Sequence, residues 1–244
     1  MLEGLYSAAS GMEAQQQRLD SLSNDISNLD TPGYQSERVG FQNLLYNAAA
    51  PTQAGGVTVG GGSQALELGP SQVAGAVQST GNPLDLAITG AAYFEVRQPG
   101  GGTALTRDGQ LQLDAKGRLT TGSGLIVQPP ITVPAGVSES EITVGTDGTL
   151  SANGKTFGKL ALVSVAAPEQ LTPIGDGLLL PGAASGPVKP ASGASVLQGS
   201  LTSSNVDLAR ALTELTDAQN AYSLTSKAMN IETQMLQIAN QVRG

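Results

Sequence analysis

The sequence contains no cysteine, no histidine and no tryptophan. Without cysteine the chain can form no disulfide framework, no zinc–thiolate site and no cysteine nucleophile. Without histidine it lacks the commonest general base and the commonest metal ligand. We therefore expect no metal and no other cofactor, and whole classes of enzyme become poor candidates.

Charged residues are also scarce, at 13% of the 244 residues, and they leave a net charge of −8. An acidic chain disfavours nucleic acid and anionic membrane surfaces as partners. No apolar run is long enough to span a membrane, so we expect no membrane insertion. The first residues, Met1–Gly4, have neither the basic nor the apolar region of a cleavable signal peptide. Low surface charge together with 32 glycines is compatible with a subunit of a large assembly.

The C-terminal stretch, residues 205–243, contains neither glycine nor proline and repeats an apolar residue every seventh position. Such a heptad keeps one seam of a helix facing a partner helix. We predict a long helix, with Ser204 and Asn205 as its N-cap. A second apolar row makes the apolar arc wider than one partner needs. The first row is Leu208, Leu215, Tyr222, Met229 and Leu236, and the second is Leu224, Ile231 and Ile238.

The N-terminal stretch carries a matching heptad, which predicts a helix that ends near Asp30, before the breaker Thr31-Pro32-Gly33. Two heptads at opposite ends of one chain are natural partners as a coiled coil. Periodicity alone leaves two arrangements open, and it favours a pair that closes one domain over a pair that packs into a tube of identical pairs. The seam residues are Leu5, Met12, Leu19, Leu22, Ile26 and Leu29, with Gln15 as a polar exception.

The middle of the chain has an alternating apolar pattern in place of the heptads. From Asn82 to about Pro181, alternating apolar residues are separated by hairpin turns such as Asp147-Gly148 and Asn153-Gly154. The Gly-rich segment Gly55–Gly62 indicates an extended connector, since no nucleotide-binding pattern follows it. We therefore predict an α+β fold with paired terminal helices and a central antiparallel all-β domain. The boundaries are 1–34 for the N-terminal helix, 35–80 for the connector, 81–195 for the β domain and 196–244 for the return segment and C-terminal helix.

No combination of residues in the sequence indicates catalysis. The candidate acid–base carboxylates lie beside turn signals, where aspartate bonds its own backbone. Ser223 and Lys227 could share a helix face as a dyad, but an exposed polar face opposite the apolar seam explains them without further assumptions. The sequence has no nucleophile elbow and no cluster of metal ligands. We predict that the protein is not an enzyme. The carboxylates considered are Asp85, Asp108, Asp114 and Asp147.

The stretch from Ser23 to Tyr34 resembles the N-terminal signature of the bacterial flagellar basal-body rod and hook proteins. Further segments resemble that family in the right order along the chain, so the resemblance covers nearly all of it. They are 81–88, 106–109, 204–207, 221–222, 226–228 and 234–236. The signature residues are Asn24, Asn28, Thr31, Pro32, Gly33 and Tyr34.

The resemblance implies a structural subunit that is exported unfolded, without a cleaved signal peptide, through the flagellar export apparatus. Such subunits stack into a helical tube, the periplasm-spanning rod, which transmits torque for motility. The terminal helices would form its inner layer and would contact other copies, adjacent rod proteins and the hook. Phe41–Tyr46 and Gln234–Gln237 favour a distal over a proximal rod subunit. A different class stays open: a β-domain binding module with dimerising helical ends, which would not polymerise.

Overall fold

In the computed structural model, residues 2–47 and 58–243 are described. Two long helices lie near the two ends of the chain, α1 at Leu2–Ser27 and α2 at Leu208–Arg243. The strands between them pair mostly in antiparallel ladders. The fold is therefore α+β with a central antiparallel β region, as the sequence predicts.

Eighteen strands are present within the described residues. Their bounds are β1 Glu37–Asn47, β2 Thr58–Pro70, β3 Val77–Ser79, β4 Leu86–Thr89, β5 Tyr93–Arg97, β6 Thr103–Thr106, β7 Leu111–Leu113, β8 Leu119–Thr121, β9 Ile126–Val127, β10 Ile142–Val144, β11 Thr149–Ala152, β12 Lys155–Lys159, β13 Leu162–Ser164, β14 Thr172–Gly175, β15 Leu178–Leu180, β16 Lys189–Pro190, β17 Ser195–Gln198 and β18 Ser200–Thr202.

The chain divides into two compact units. The helical unit contains α1, the strand pair β1–β2 as far as Leu68, and α2 with the preceding Asp207. The β unit contains Asn28–Ser36 and Gly69–Val206. The stretch predicted as a connector therefore carries two long strands, and the sequence did not show them. The part of that stretch from Ala48 to Val57 lies outside the described residues.

The β unit is built around a nine-stranded sheet with the main order β14-β15-β6-β5-β9-β8-β7. β13 also pairs with β5 and with β16. Side chains of successive residues in a strand point to opposite faces. Phe94 packs in the large cluster with Val96, Leu119 and Leu150, whereas its neighbour Tyr93 packs in a second cluster with Leu105. Both faces of this sheet are thus covered by buried side chains.

The ends of the two helices differ from the prediction by a few residues. α1 ends at Ser27, because the chain turns there: the Thr31 N–H donates to the Asn28 carbonyl at 3.2 Å. Leu29 consequently lies after the helix. The N-cap of α2 is Asp207, whose Oδ1 accepts the N–H groups of Ala209 and Arg210 at 3.0 and 3.2 Å.

The prediction that Ser204 and Asn205 cap α2 was wrong. The side chain of Asn205 instead joins two backbone segments of the β unit. Its Oδ1 accepts the Ser36 N–H at 2.7 Å, and its Nδ2 donates to the Val73 carbonyl at 2.8 Å. Asn205 therefore links the backbone at Ser36 to the backbone at Val73 within the β unit.

Candidate assembly interface

The helices α1 and α2 pack against each other in antiparallel orientation. Gly4 lies beside Glu232, Gly11 beside Thr225, and Arg18 beside Glu214. Residue numbers thus increase along α1 while those of the facing residues on α2 decrease. The buried apolar residues of the pair are mostly small, which allows two helix backbones to approach closely. They are Ala14, Leu22, Ala211 and Ala218.

We call these four buried residues the seam, and the other residues predicted to form the helix interface are more exposed. Leu22 is buried, whereas Leu208 and Tyr222 are exposed by 41% and 36%. Their contact with other subunits stays a prediction. The remaining predicted residues are half-buried, namely Leu5, Met12, Leu19, Ile26, Leu29, Leu215, Met229 and Leu236.

A second apolar face of α2 is open to solvent within the described residues. Leu224, Ile231, Met235 and Ile238 are exposed by 66, 57, 51 and 60%. Their spacing of seven, four and three residues places them in one row along the helix. We call this row the α2 strip. Large apolar side chains gathered on one exposed face are typical of protein–protein contact sites.

Gly4 on α1 lies close to the Glu232 carboxylate on the other helix. A Cβ at Gly4 would overlap both carboxylate oxygens of Glu232. Gly4 lies in the first turn of α1, where unpaired backbone N–H groups and the helix dipole favour a negative charge. Glu232 therefore complements the start of α1 from α2.

An acidic groove of about 340 Å³ lies between α1 and the strand pair β1–β2. The buried Asp25 accepts the N–H of Glu37, one of the lining residues, at 3.1 Å. Burial raises the pKa of Glu37, and the nearby carboxylates of Asp25 and Glu67 raise it further. Among the described residues no acidic group forms a metal-binding cluster. The lining residues are Gln17, Asp20, Ser21, Asn24, Glu37, Val39, Ala65 and Glu67.

Five of the six signature residues form a turn in the β unit, and the sixth, Asn24, lines the acidic groove of the helical unit. The Thr31 hydroxyl donates to Asn28 Oδ1 at 3.1 Å. Pro32 is half-buried, and the Tyr34 carbonyl accepts the Asn205 N–H at 3.3 Å. Gly33 is buried with φ 70°, and its N–H donates to the Thr202 carbonyl at 2.7 Å.

The signature turn meets two further family-like segments. A Cβ at Gly33 would overlap the Arg107 carbonyl, and one at Gly109 would overlap the Leu86 carbonyl. The Leu86 N–H donates to the Gly109 carbonyl at 2.9 Å. Segments 31–34, 81–88 and 106–109 are therefore held together by backbone contacts that leave no room for side chains. Glycine at positions 33 and 109 therefore follows from this close packing.

Arg107 is a buried cation at this junction. Its Nη2 donates to the Gly90 carbonyl, and its guanidinium lies over the Tyr93 ring, 5.5 Å from the centroid. Burial lowers the pKa of Arg107, and Tyr93 opposes that shift. Arg107 thus joins the loop after β6 to the loop before β5.

The carboxylates considered for acid–base chemistry all stabilise turns. Asp85 accepts the Thr80 hydroxyl and the Asn82 amide at 2.6 and 3.0 Å, and Asp108 accepts the Gln110 N–H at 2.9 Å. Asp114 accepts the Lys116 and Arg118 N–H groups, each at 2.8 Å. Asp147 accepts hydrogen bonds from the Thr149 hydroxyl and from Lys159. These bonds lower the pKa of Asp147 to about 2, and the bond from Thr149 has the largest effect. Ser223 and Lys227 are exposed on α2.

Neither α1 nor α2, over the residues described, is both apolar and long enough to cross a membrane. The chain thus combines two terminal helices, one of which carries an open apolar strip, with a separate β unit.

Three family models match successive parts of the chain. A flagella basal body rod protein model matches residues 5–35, and a model of the flagellar hook protein FlgE/F/G D1 domain matches residues 87–152. A model of the flagellar basal body rod FlgEFG protein C-terminal region matches residues 197–242. The chain is also 36% identical to the flagellar basal-body rod protein FlgG of Caulobacter vibrioides, over 100% of both chains.

Other relatives of the chain are also flagellar basal-body rod proteins. Identity to FlgG of Bacillus subtilis is 36% over 97% of both chains. Identity to the flagellar basal-body rod protein FlgF of Rhizobium meliloti is 33%, over 94% of this chain and 92% of that one. The chain belongs to the flagellar basal-body rod protein family.

Proposed function

We propose that the chain is a structural subunit of the flagellar rod, which self-assembles into a helical tube through its terminal helices. The observation that carries this proposal is the α2 strip, because four large apolar side chains are exposed in one row of a terminal helix. Burying such a row against another copy removes apolar surface from water, which is the main driving force of association. The tube would transmit torque and serve motility without catalysis.

We further propose the distal part of the rod as the position of this subunit. Relatives named FlgG match the chain over its full length at up to 36% identity, and the FlgF relative matches at 33%. The neighbours would be adjacent rod proteins and the hook. Location in the basal body follows from the family. The chain would pass through the flagellar export apparatus in an unfolded state and without signal cleavage. The absence of cysteine suits such passage, since no disulfide can form in transit.

The α2 strip is tested with Ile231→Glu, which places a charge in the row. A charge buried without a partner is strongly unfavourable, so we expect no rods in cells that carry only this variant. The matched control is Gln234→Glu, which adds the same charge at an exposed position outside the row. Rods of normal length with Ile231→Glu in electron micrographs would contradict the proposal. So would a purified wild-type chain that forms discrete dimers at every concentration.

The distal position is tested by complementation. The chain is expressed in a strain that lacks its FlgG and, separately, in one that lacks its FlgF. We expect swimming to return only in the first strain. Restoration in the second strain alone would assign the chain to the proximal rod.

A further inference from the structure

Arg18 of α1 contacts two other elements of the helical unit at once. Its Nη2 lies 3.4 Å from Glu214 Oε2 on α2, and its Cζ lies 5.8 Å from the centre of the Phe41 ring on β1. The second distance is within the range in which a guanidinium is attracted to an aromatic face. Both charged side chains are partly buried, at 30% and 31% exposure, so water screens their interaction incompletely.

Glu214 also bonds a second arginine. Arg210, one helical turn earlier, donates to Glu214 Oε1 at 2.8 Å and is 79% exposed. The hydrogen bond from Arg210 is the largest cause that lowers the pKa of Glu214, and the bond from Arg18 adds to it. Among the residues that the structure describes, Arg18 contacts β1, whereas the contact given for Arg210 lies within α2. The pair Arg210–Glu214 therefore forms within α2 alone, and the pair Arg18–Glu214 requires that α2 lies on α1.

Besides the contact with Arg18, hydrogen bonds from the N–H groups of Glu37 and Ser63 attach the strand pair β1–β2 to α1. Arg38 and Gln42 bond across to Leu68 and Gln64 of β2, so these bonds hold the two strands to each other. Because residue 38 bonds residue 68 and residue 42 bonds residue 64, the two strands run antiparallel, as in a hairpin. Phe41 is 43% exposed and is held over α1 by Arg18. Its attraction to Arg18 depends on where the guanidinium points.

We propose that Arg18 couples the docking of α2 on α1 to the docking of the β1–β2 strand pair on α1. With Glu214 in place, the guanidinium is fixed over Phe41; without Glu214, the side chain regains its rotamers and the aromatic contact weakens. The coupling is reciprocal, because a shared group that favours one contact favours the other by the same factor. A docked α2 therefore favours a docked strand pair, by the modest factor that one cation–π contact supplies. This inference concerns the interior of one subunit and goes beyond the proposed function.

The coupling is measured with a thiol reporter, which the absence of native cysteine makes possible. Ala65→Cys places one thiol in the acidic groove between β2 and α1, at a half-buried position. Lifting of the strand pair exposes the thiol to a maleimide reagent. Reporter chains are incorporated as a minority into rods of the wild-type chain, so a variant needs only to join a rod and not to build one.

Three second-site changes are compared in the reporter chain. Glu214→Gln removes the carboxylate charge without changing the shape, and we expect the thiol to react about two to five times faster, as befits a lost cation–π contact. Phe41→Leu should give a similar increase, and the two changes together no further increase. The control is Arg210→Gln, which removes the other partner of Glu214 and should leave the rate within about twofold.

Two results would overturn the coupling: a rate unchanged by Glu214→Gln, or multiplied increases when Glu214→Gln and Phe41→Leu are combined. An equal increase with Arg210→Gln would also overturn it, since the effect would then come from α2 itself. Absence of rods from the wild-type chain counts against the proposed function alone. In that case the rates of thiol modification are compared in the unassembled full chain, and the same outcomes support or overturn the coupling.

Discussion

Gly33 lies against the backbone of Arg107 so closely that a Cβ at position 33 would overlap the Arg107 carbonyl carbon and oxygen. Its φ of 70° is in the left-handed region that side chains disfavour. Both restrictions act on one residue of the signature turn. The glycine in the sequence Thr31-Pro32-Gly33 is therefore required by the approach of two loops and by its backbone angle.

Gly33→Ala should destabilise the β unit by more than the backbone angle alone costs. A left-handed alanine costs about 1–2 kcal/mol, and the overlap with Arg107 adds to that. The matched control is Gly81→Ala, whose φ is 75° and whose added Cβ would meet nothing within 4 Å. Urea unfolding of the purified variants measures the difference. Equal losses of stability would show that the close approach of Arg107 contributes nothing.

Arg107→Lys should also destabilise the β unit, although it keeps the charge. Lysine cannot place a planar guanidinium over the Tyr93 ring while donating to the Gly90 carbonyl, and the site is desolvated. We expect a loss of roughly 1–3 kcal/mol in the free energy of unfolding. Arg97→Lys, at an exposed strand end, is the control and should change little. Identical unfolding midpoints for the two variants would refute this role of Arg107.

Ala218→Leu should prevent docking of α2 on α1. Ala218 is fully buried in the seam between the helices, and three added carbon atoms would force the backbones apart at a cost of about 1–3 kcal/mol. We expect shorter or fewer rods and an unchanged unfolding transition of the β unit. Ala209→Leu, on the exposed start of α2, should assemble normally. Normal rods with Ala218→Leu would mean that the seam is not close-packed in the assembly.

The heptads located both terminal helices, but they did not show where the two helices approach most closely. A heptad pattern favours large apolar residues, whereas the buried seam consists mainly of Ala14, Ala211 and Ala218. The choice among apolar rows depends on the partner, which a period of seven residues does not identify. The signature residues were recognised by family resemblance, yet their contacts with Arg107 could not be read from spacing.

The β unit was easier to predict, since its turns have their own residue preferences. Asn153 and Gly154 have φ of 52° and 75°, and they join β11 to β12 as a two-residue hairpin turn. The strand pair β1–β2 was missed because it carries glycines and polar residues on both faces. In Thr58–Pro70 the run Gly60–Gly62 breaks the expected alternation, and Leu66 and Leu68, although they alternate with Glu67, are exposed.

The acidic groove should make the helical unit more stable at mildly acidic pH than at neutral pH. The folded-state pKa of Glu37 is raised above its ordinary value of 4.5, first by burial and then by Asp25 and Glu67. The ionised form is therefore penalised in the folded state. The penalty is absent below pH 4.5, grows as the pH rises towards the folded-state pKa, and is fully present above it.

Glu37→Gln should remove this dependence, because the amide carries no charge at any pH in the range. We expect rods of the variant to dissociate at a higher temperature than wild-type rods at neutral pH, with the gap closing as the pH falls towards 4.5. Glu13→Gln, at an exposed position of α1 outside the groove, controls for the change in net charge. A gap that widens on acidification would reverse the sign and refute the argument. A gap of the same size for Glu13→Gln would assign the effect to net charge, because only Glu37 is crowded by Asp25 and Glu67 in the groove.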